Sequence, residues 1–125
     1  PASWTITIHK DAEDDHKVWF DNLYNNPGWV APNTRFYGVV NDDKTFINIP
    51  FGQETEYKYS NGMPVVLWGL TSELNSIETG SMDVAIIVEN SNVSLDFGDE
   101  SGFWVRIKDT GNLGIILPGI TAVKN

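Results

Sequence analysis

Residues 54–68 read ETEYKYSNGMPVVLW, and they carry the clearest structural signal in the chain. The first part alternates, so that Tyr57 and Tyr59 would share one face of a strand. The pair Asn61-Gly62 follows, and Asn-Gly is the strongest short-range signal for a tight hairpin turn. The second part is almost continuously apolar, as expected for a central strand covered on both faces. These residues therefore predict an antiparallel β-hairpin.

Similar β-prone segments recur along the rest of the chain, separated by residues typical of turns. The predicted strands cover residues 4–9, 35–40, 45–49, 54–59, 63–68, 84–89, 93–97, 103–108 and 113–117. Eight or nine short strands at intervals of about 8 to 12 residues are typical of an antiparallel β-sandwich or small barrel. Residues 71–81 are polar and predict a loop, and the last strand is expected to stop at Pro118-Gly119. The sequence predicts one mainly β domain over residues 1–125.

Residues 11–24 allow two interpretations. As a short helix, they would begin with Asp11 as the cap and place three acidic residues at the positive end of the helix dipole. As a strand, Val18 and Phe20 would point inward and Trp19 would face solvent. The acidic start favours a short helix or helical turn slightly. In both cases Pro27 and Gly28 end the segment, since proline lacks a backbone donor and glycine adopts angles that other residues avoid.

Length and composition describe a folded, acidic domain. The chain has 125 residues, 41% of them hydrophobic, which is enough for a core without disulfides or metals. Its formal net charge is −9, with 8 basic residues and no basic run. Nucleic acid and anionic membranes would repel such a molecule, so nucleic-acid binding is not expected.

The cellular location is left open by the sequence. There is no cysteine, so neither a disulfide nor a thiolate site indicates a redox compartment. No secretory signal and no apolar run of about 20 residues is present, and we expect either a mature secreted form or a cytoplasmic protein.

Catalytic and metal-binding motifs are scarce. The sequence has no nucleophile elbow, no phosphate-binding glycine loop and only His9 and His16, so we expect no enzymatic activity. A glycoside hydrolase needs only two carboxylates at a fixed separation, which remains a minority interpretation. The acidic clusters at residues 11–15 and 96–100 could bind calcium, but neither matches the twelve-residue calcium loop, and no cofactor is predicted.

One candidate binding surface lies on the strand at residues 103–108. If its odd-numbered residues face the core, alternation places Trp104, Arg106 and Lys108 together on the opposite face. An aromatic ring beside two cations is a plausible binding surface in a protein with few positive charges. The alternative is that a second sheet or the N-terminal segment covers Trp104.

A second concentration of aromatic and polar residues lies between residues 19 and 42. Sugars stack their apolar face on aromatic rings while Asp, Asn and Arg side chains bind the hydroxyls. The alternative is that core packing takes at least two of these rings. Together with the strand above, the predicted ligand-binding residues are Trp19, Asn25, Asn26, Trp29, Asn33, Arg35, Tyr37, Asp42, Trp104 and Arg106.

These residues predict a carbohydrate-binding, lectin-like module without catalytic activity, whose partners are glycans or glycoconjugates. One alternative is a membrane-active or pore-forming β protein, because exposed Trp and Tyr favour the lipid interface. Another is a structural protein that self-associates into homo-oligomers through edge strands and exposed aromatic residues.

Overall fold

The computed structural model describes residues 3–124, which contain twelve strands, one 3-10 turn at Pro32–Thr34 and no α-helix. The strands are β1 Thr7–Lys10, β2 Lys17–Asp21, β3 Phe36–Val40, β4 Phe46–Pro50, β5 Gln53–Lys58, β6 Pro64–Thr71, β7 Ser76–Ile77, β8 Ser81–Glu89, β9 Asn92–Asp96, β10 Ser101–Ile107, β11 Gly111–Ile116 and β12 Thr121–Val123. The predicted mainly antiparallel β class is confirmed, although the strands outnumber the eight or nine expected.

The strands form two antiparallel sheets. The large sheet has seven strands in the order β1-β2-β3-β4-β8-β9-β12 and curls into a half-barrel. The small sheet has the order β11-β10-β6-β5, with β7 paired to β6. The core lies between the sheets, where Phe20, Phe36 and Ile49 of the large sheet belong to one buried cluster with Leu67 and Phe103 of the small sheet.

The hairpin predicted from Asn61-Gly62 joins β5 to β6. Gly62 has a φ of 81°, which glycine adopts without steric cost, and its N–H donates to the Tyr59 carbonyl at 2.8 Å. The Asn61 side chain accepts from the Met63 N–H at 3.0 Å. Strand β6 is mostly buried on both faces, as predicted, with Val65 on the core side and Val66 on the other, but Trp68 on the Val66 face is only half-buried.

Residues 11–24 form a turn followed by β2, so the expected short helix is wrong. The acidic start does cap a turn, because the Asp11 carboxylate accepts from the N–H groups of Glu13 and Asp14 at 3.1 and 2.9 Å. The turn ends when Lys17 N–H donates to the Asp14 carbonyl, and the chain then enters β2 between β1 and β3. Burial of Phe20 favours the strand, since only a strand places it against Phe36.

Several other boundaries differ from the sequence prediction. The first strand is β1, which begins at Thr7, later than expected. The predicted loop at residues 71–81 contains the two-residue strand β7 and the first residue of β8. Beyond Pro118-Gly119 the chain adds β12, which is too short at three residues to show a periodicity.

Candidate functional site

The structure distributes the predicted ligand-binding residues over several places. Trp19 and Tyr37 lie on the outer face of the large sheet, with Arg35 just before β3. Asn25, Asn26, Trp29 and Asn33 belong to the connection between β2 and β3, and Asp42 lies in the turn between β3 and β4. Trp104 and Arg106 lie on β10 in the small sheet.

The ring of Trp29 packs inside an aromatic group rather than standing free. Its centroid lies 5.0 Å from Tyr57, 5.9 Å from Tyr59 and 6.1 Å from Tyr24. The Asn26 side chain donates to the Tyr24 hydroxyl at 3.1 Å. Burial raises the pKa of Tyr24 and of Tyr59. Because these side chains pack against the core, the group serves mainly to hold the β2–β3 connection on β5.

The other polar residues of this region have local roles or lie in turns. Asn25 has a φ of 61°, a left-handed conformation that asparagine tolerates in turns. Asn33 is exposed within the 3-10 turn. The Asp42 carboxylate accepts a hydrogen bond from His16 Nε2 at 2.8 Å, and both side chains lie at the surface.

On the outer face of the large sheet, Trp19 and Tyr37 form an edge-on pair at 5.8 Å. The Lys17 ammonium lies 4.4 Å from the Trp19 ring centre and 4.6 Å from that of Tyr37. The Trp19 indole N–H donates to Asp11 at 2.8 Å. Both rings therefore have a cation beside them from the same chain, and the indole donor is occupied.

Asp21 holds the neighbouring polar groups of this face. Its side chain is only 9% exposed and binds Arg35 Nε at 2.7 Å and His9 Nε2 at 2.6 Å. Burial raises the pKa of this carboxyl, but the hydrogen bonds from Arg35 and His9 outweigh it and leave the pKa below its usual value. Arg35 is thus committed to an internal ion pair and offers little to a ligand.

The outer face of the small sheet is different. Trp104 on β10 lies opposite Trp68 on β6, with ring centroids 5.8 Å apart and planes at 88°. Both rings are half-buried, while Phe103 and Val105 are fully buried in the core. The predicted separation of faces along residues 103–108 is therefore observed. Trp68 was missed, because its continuously apolar strand gives no signal that one face lies at the surface.

Arg106 completes this surface, which we call the tryptophan platform and define as Trp68, Trp104 and Arg106. Its guanidinium carbon lies 4.8 Å from the Trp68 ring centre and 5.6 Å from that of Trp104. In contrast to Arg35, it makes no hydrogen bond or ion pair with any residue in the described part of the chain. Its Nε is enclosed without an acceptor. A guanidinium that lies beside two indoles and lacks a carboxylate partner is suited to an external acceptor.

A cleft of about 310 Å³ adjoins the platform. Trp68, Val66 and Arg106 line it together with the charged residues Glu54, Glu78, Lys108 and Asp109. Lys108 binds Glu54 at 2.8 Å, and this hydrogen bond raises the pKa of the Lys108 ammonium. The platform itself is held by a hydrogen bond of 2.9 Å from the Trp104 indole N–H to Asn112 on β11. Aromatic, cationic and acidic groups therefore meet on one open face.

The chain matches no known family model, no curated protein and no solved structure.

Among residues 3–124 the structure shows neither a metal-binding cluster nor a membrane-spanning helix. Within residues 3–124 no group of three or more His, Asp or Glu side chains is placed to hold a metal ion, and this includes the acidic residues of 11–15 and 96–100. Between residues 3 and 124 no helix has the length and apolar character needed to cross a bilayer.

Proposed function

We propose that this chain is a carbohydrate-binding, lectin-like domain that binds glycans on the tryptophan platform. The observation that carries the proposal is the half-buried pair of Trp68 and Trp104 beside Arg106, whose guanidinium has no partner on the described chain. A pyranose ring stacks its C–H face on an indole, while its hydroxyls accept from a guanidinium and donate to carboxylates. The rings lie at 88° to each other, so a sugar stacks on one and meets the edge of the other.

The charge around the cleft favours a neutral ligand. Arg106 and Lys108 supply two cations, whereas Glu54, Glu78 and Asp109 supply three carboxylates. A phosphate or a carboxylate ligand would meet a small excess of negative charge there, in a chain whose formal net charge is −9. Hydroxyl groups both donate and accept hydrogen bonds, and they suit this mixed set of side chains.

The other aromatic surfaces are less suited to a ligand. Arg35, the guanidinium near Trp19 and Tyr37, is bound by Asp21 and is not free for a ligand. Trp29 is enclosed by three tyrosines. The platform combines half-buried aromatic rings with a guanidinium that has no hydrogen-bond partner among residues 3–124.

A glycan array with neutral and acidic glycans, followed by calorimetric titration of each hit, tests the proposal. Saturable binding of neutral glycans is expected for the natural chain. Trp104→Ala and Arg106→Met should each weaken it at least tenfold, which corresponds to about 1.4 kcal/mol. Trp19→Ala is a matched control, since it removes an indole with a stacked cation from the other sheet and should leave affinity unchanged.

Three outcomes would refute the proposal of a lectin-like domain that binds glycans on the platform. One is a folded protein that binds no glycan on the array. Another is equal loss of binding in Trp104→Ala and Trp19→Ala. The third is the release of reducing ends from the bound glycans, which would make the chain a carboxylate-dependent hydrolase. If no glycan binds, dye release from neutral and sterol-containing vesicles would instead support a membrane-active protein, and sedimentation would detect a self-associating one.

A further inference from the structure

The large sheet ends in two edge strands that face each other across an open cleft. Its seven strands alternate in direction, so β1 and β12 run the same way. Strands β1 and β12 do not pair with each other, and few of their Cα atoms come within 8 Å of each other. A cleft of about 360 Å³ separates them, with residues 6–8 on one side and residues 122–124 on the other. We call this cleft the seam.

The backbone of β12 points unpaired groups into the seam. In its pairing with β9, Lys124 N–H donates to the Val93 carbonyl and Phe97 N–H donates to the Ile120 carbonyl, both at 3.0 Å. In an antiparallel pair, alternate residues bond to the neighbour and the residues between them point away. The N–H and C=O groups of Thr121 and Val123 therefore point away from β9.

The backbone of β1 does the same from the other side. Asp11 N–H donates to the Lys17 carbonyl at 3.0 Å and continues the β1–β2 ladder, in which odd-numbered residues of β1 face β2. The N–H and C=O groups of Ile6 and Ile8 consequently point toward the seam. Among the described residues, none of these seam-facing groups has a backbone partner.

The side chains around the seam are apolar and unusually exposed. Ile8 is 41% and Val123 is 76% exposed. A second cleft of about 480 Å³ continues the seam, sharing Ile6 and Ala122, and Trp4 also lines it. Residues 3–8 run along the combined length, which is about 20 Å for six extended residues.

We propose that the seam binds an extended segment of another polypeptide, which inserts antiparallel to both β1 and β12 as the eighth strand of the large sheet. Two unpaired edges that run in the same direction along an open cleft can each pair with one inserted strand, and only an antiparallel strand continues the alternation on both sides. Such β-strand addition takes its affinity from main-chain hydrogen bonds and its specificity from alternate side chains.

Charges at the two ends of the seam specify the segment further. Lys10 is the last residue of β1, and Lys124 directly follows β12. Both lysines therefore lie at the end of the seam where the two edge strands terminate. Asp96 lies opposite Thr121 at the start, and Asp99 lies beside Gly119. An antiparallel segment begins at the lysine end, so it carries acidic residues first, then alternating apolar residues, then basic residues. A second copy of this chain is disfavoured, because two molecules of net charge −9 repel each other.

Fluorescence anisotropy with a labelled synthetic peptide tests the proposal. The probe has two glutamates, then alternating valine and threonine, then two lysines. Saturable binding is expected, and the same peptide with its lysines first should bind at least tenfold more weakly. N-methylation of alternate backbone nitrogens in the peptide removes the donors that face one edge strand, keeps every side chain and should also weaken binding at least tenfold.

The matched protein variants are Val123→Pro and Val123→Thr. Proline removes the seam-facing N–H and leaves the β9 ladder intact, because Val123 does not bond to β9. Threonine keeps the N–H, so only the proline variant should lose affinity, with circular dichroism confirming that both fold. Equal binding of the unmethylated and N-methylated peptides would overturn the proposal. So would a dimer in sedimentation that Val123→Pro dissociates, since a second copy would then occupy the seam.

Discussion

Asp21→Asn should destabilise the protein through the loss of one buried ion-pair cluster. The Asp21 side chain is 9% exposed and binds both Arg35 and His9. Hydrogen bonds to charged groups contribute about 1.5–3 kcal/mol each, and the partial exposure of both partners reduces the loss to about 2 kcal/mol at neutral pH. For a chain of this length, that loss lowers the Tm by roughly 6–10 °C.

The effect should depend on pH in a defined direction. Burial raises the pKa of the Asp21 carboxyl, but the hydrogen bonds and charges of Arg35 and His9 together bring it below the usual value. A carboxyl with a lowered pKa in the folded state stabilises the protein above its unfolded-state pKa, about 3.9, and loses this contribution as pH falls through the folded-state value. Urea unfolding followed by tryptophan fluorescence should show a difference between natural and variant chains that is full at neutral pH and shrinks below about pH 4.

Asp42→Asn provides the control, because Asp42 also pairs with a histidine. That pair spans 2.8 Å, but the Asp42 side chain is 95% exposed and His16 is 51% exposed. Exposed ion pairs contribute about 0–1 kcal/mol, so this variant should unfold almost like the natural chain. Equal destabilisation by the two substitutions, or an Asp21→Asn difference that persists unchanged at low pH, would refute the reasoning.

Two further substitutions test close packing and backbone pairing. Gly102→Ala should lower the free energy of unfolding, measured in urea, by about 1–3 kcal/mol. The added Cβ would lie 1.8 Å from the Ile116 carbonyl oxygen and force β11 to move. An unchanged urea midpoint would show that the strands pack less closely than described. Gln53→Leu should cost about 1–2 kcal/mol, because the Gln53 amide accepts from the Tyr37 N–H at 2.8 Å and donates to its carbonyl at 2.9 Å. Amide hydrogen exchange at Tyr37 should speed up in that variant, and equal exchange would contradict the pairing.

Local patterns predicted much of the fold. The hairpin at Asn61-Gly62 depends on neighbours in sequence, and so does the division of faces between Phe103 and Trp104. The strand β12 depends on pairing with β9 rather than on its own three residues, so it gave no signal. Residues 11–16 differ from this case, because they do carry a local signal. Asp11 caps the segment as predicted, but the capped segment is a turn and not a helix.

The candidate site was predicted only in part, for a similar reason. Trp104 and Arg106 follow from alternation within one strand, whereas Trp68 joins them through the pairing of β6 with β10. Arg35 was a reasonable ligand-binding residue by type, but Asp21 on the adjacent strand neutralises it. Such pairing depends on strand register, which a single sequence does not reveal.

The order of strands also governs how the chain reaches its native state. Strand β4 pairs with β8, as in Phe46↔Ala85, although the strands between them in sequence, β5, β6 and β7, belong to the small sheet. Strand β12 likewise pairs with β9, although the intervening strands β10 and β11 belong to the small sheet. Neither sheet can therefore assemble alone from one continuous stretch of chain. High contact order of this kind slows folding to milliseconds or longer, and fluorescence and far-ultraviolet dichroism should report one coincident unfolding transition.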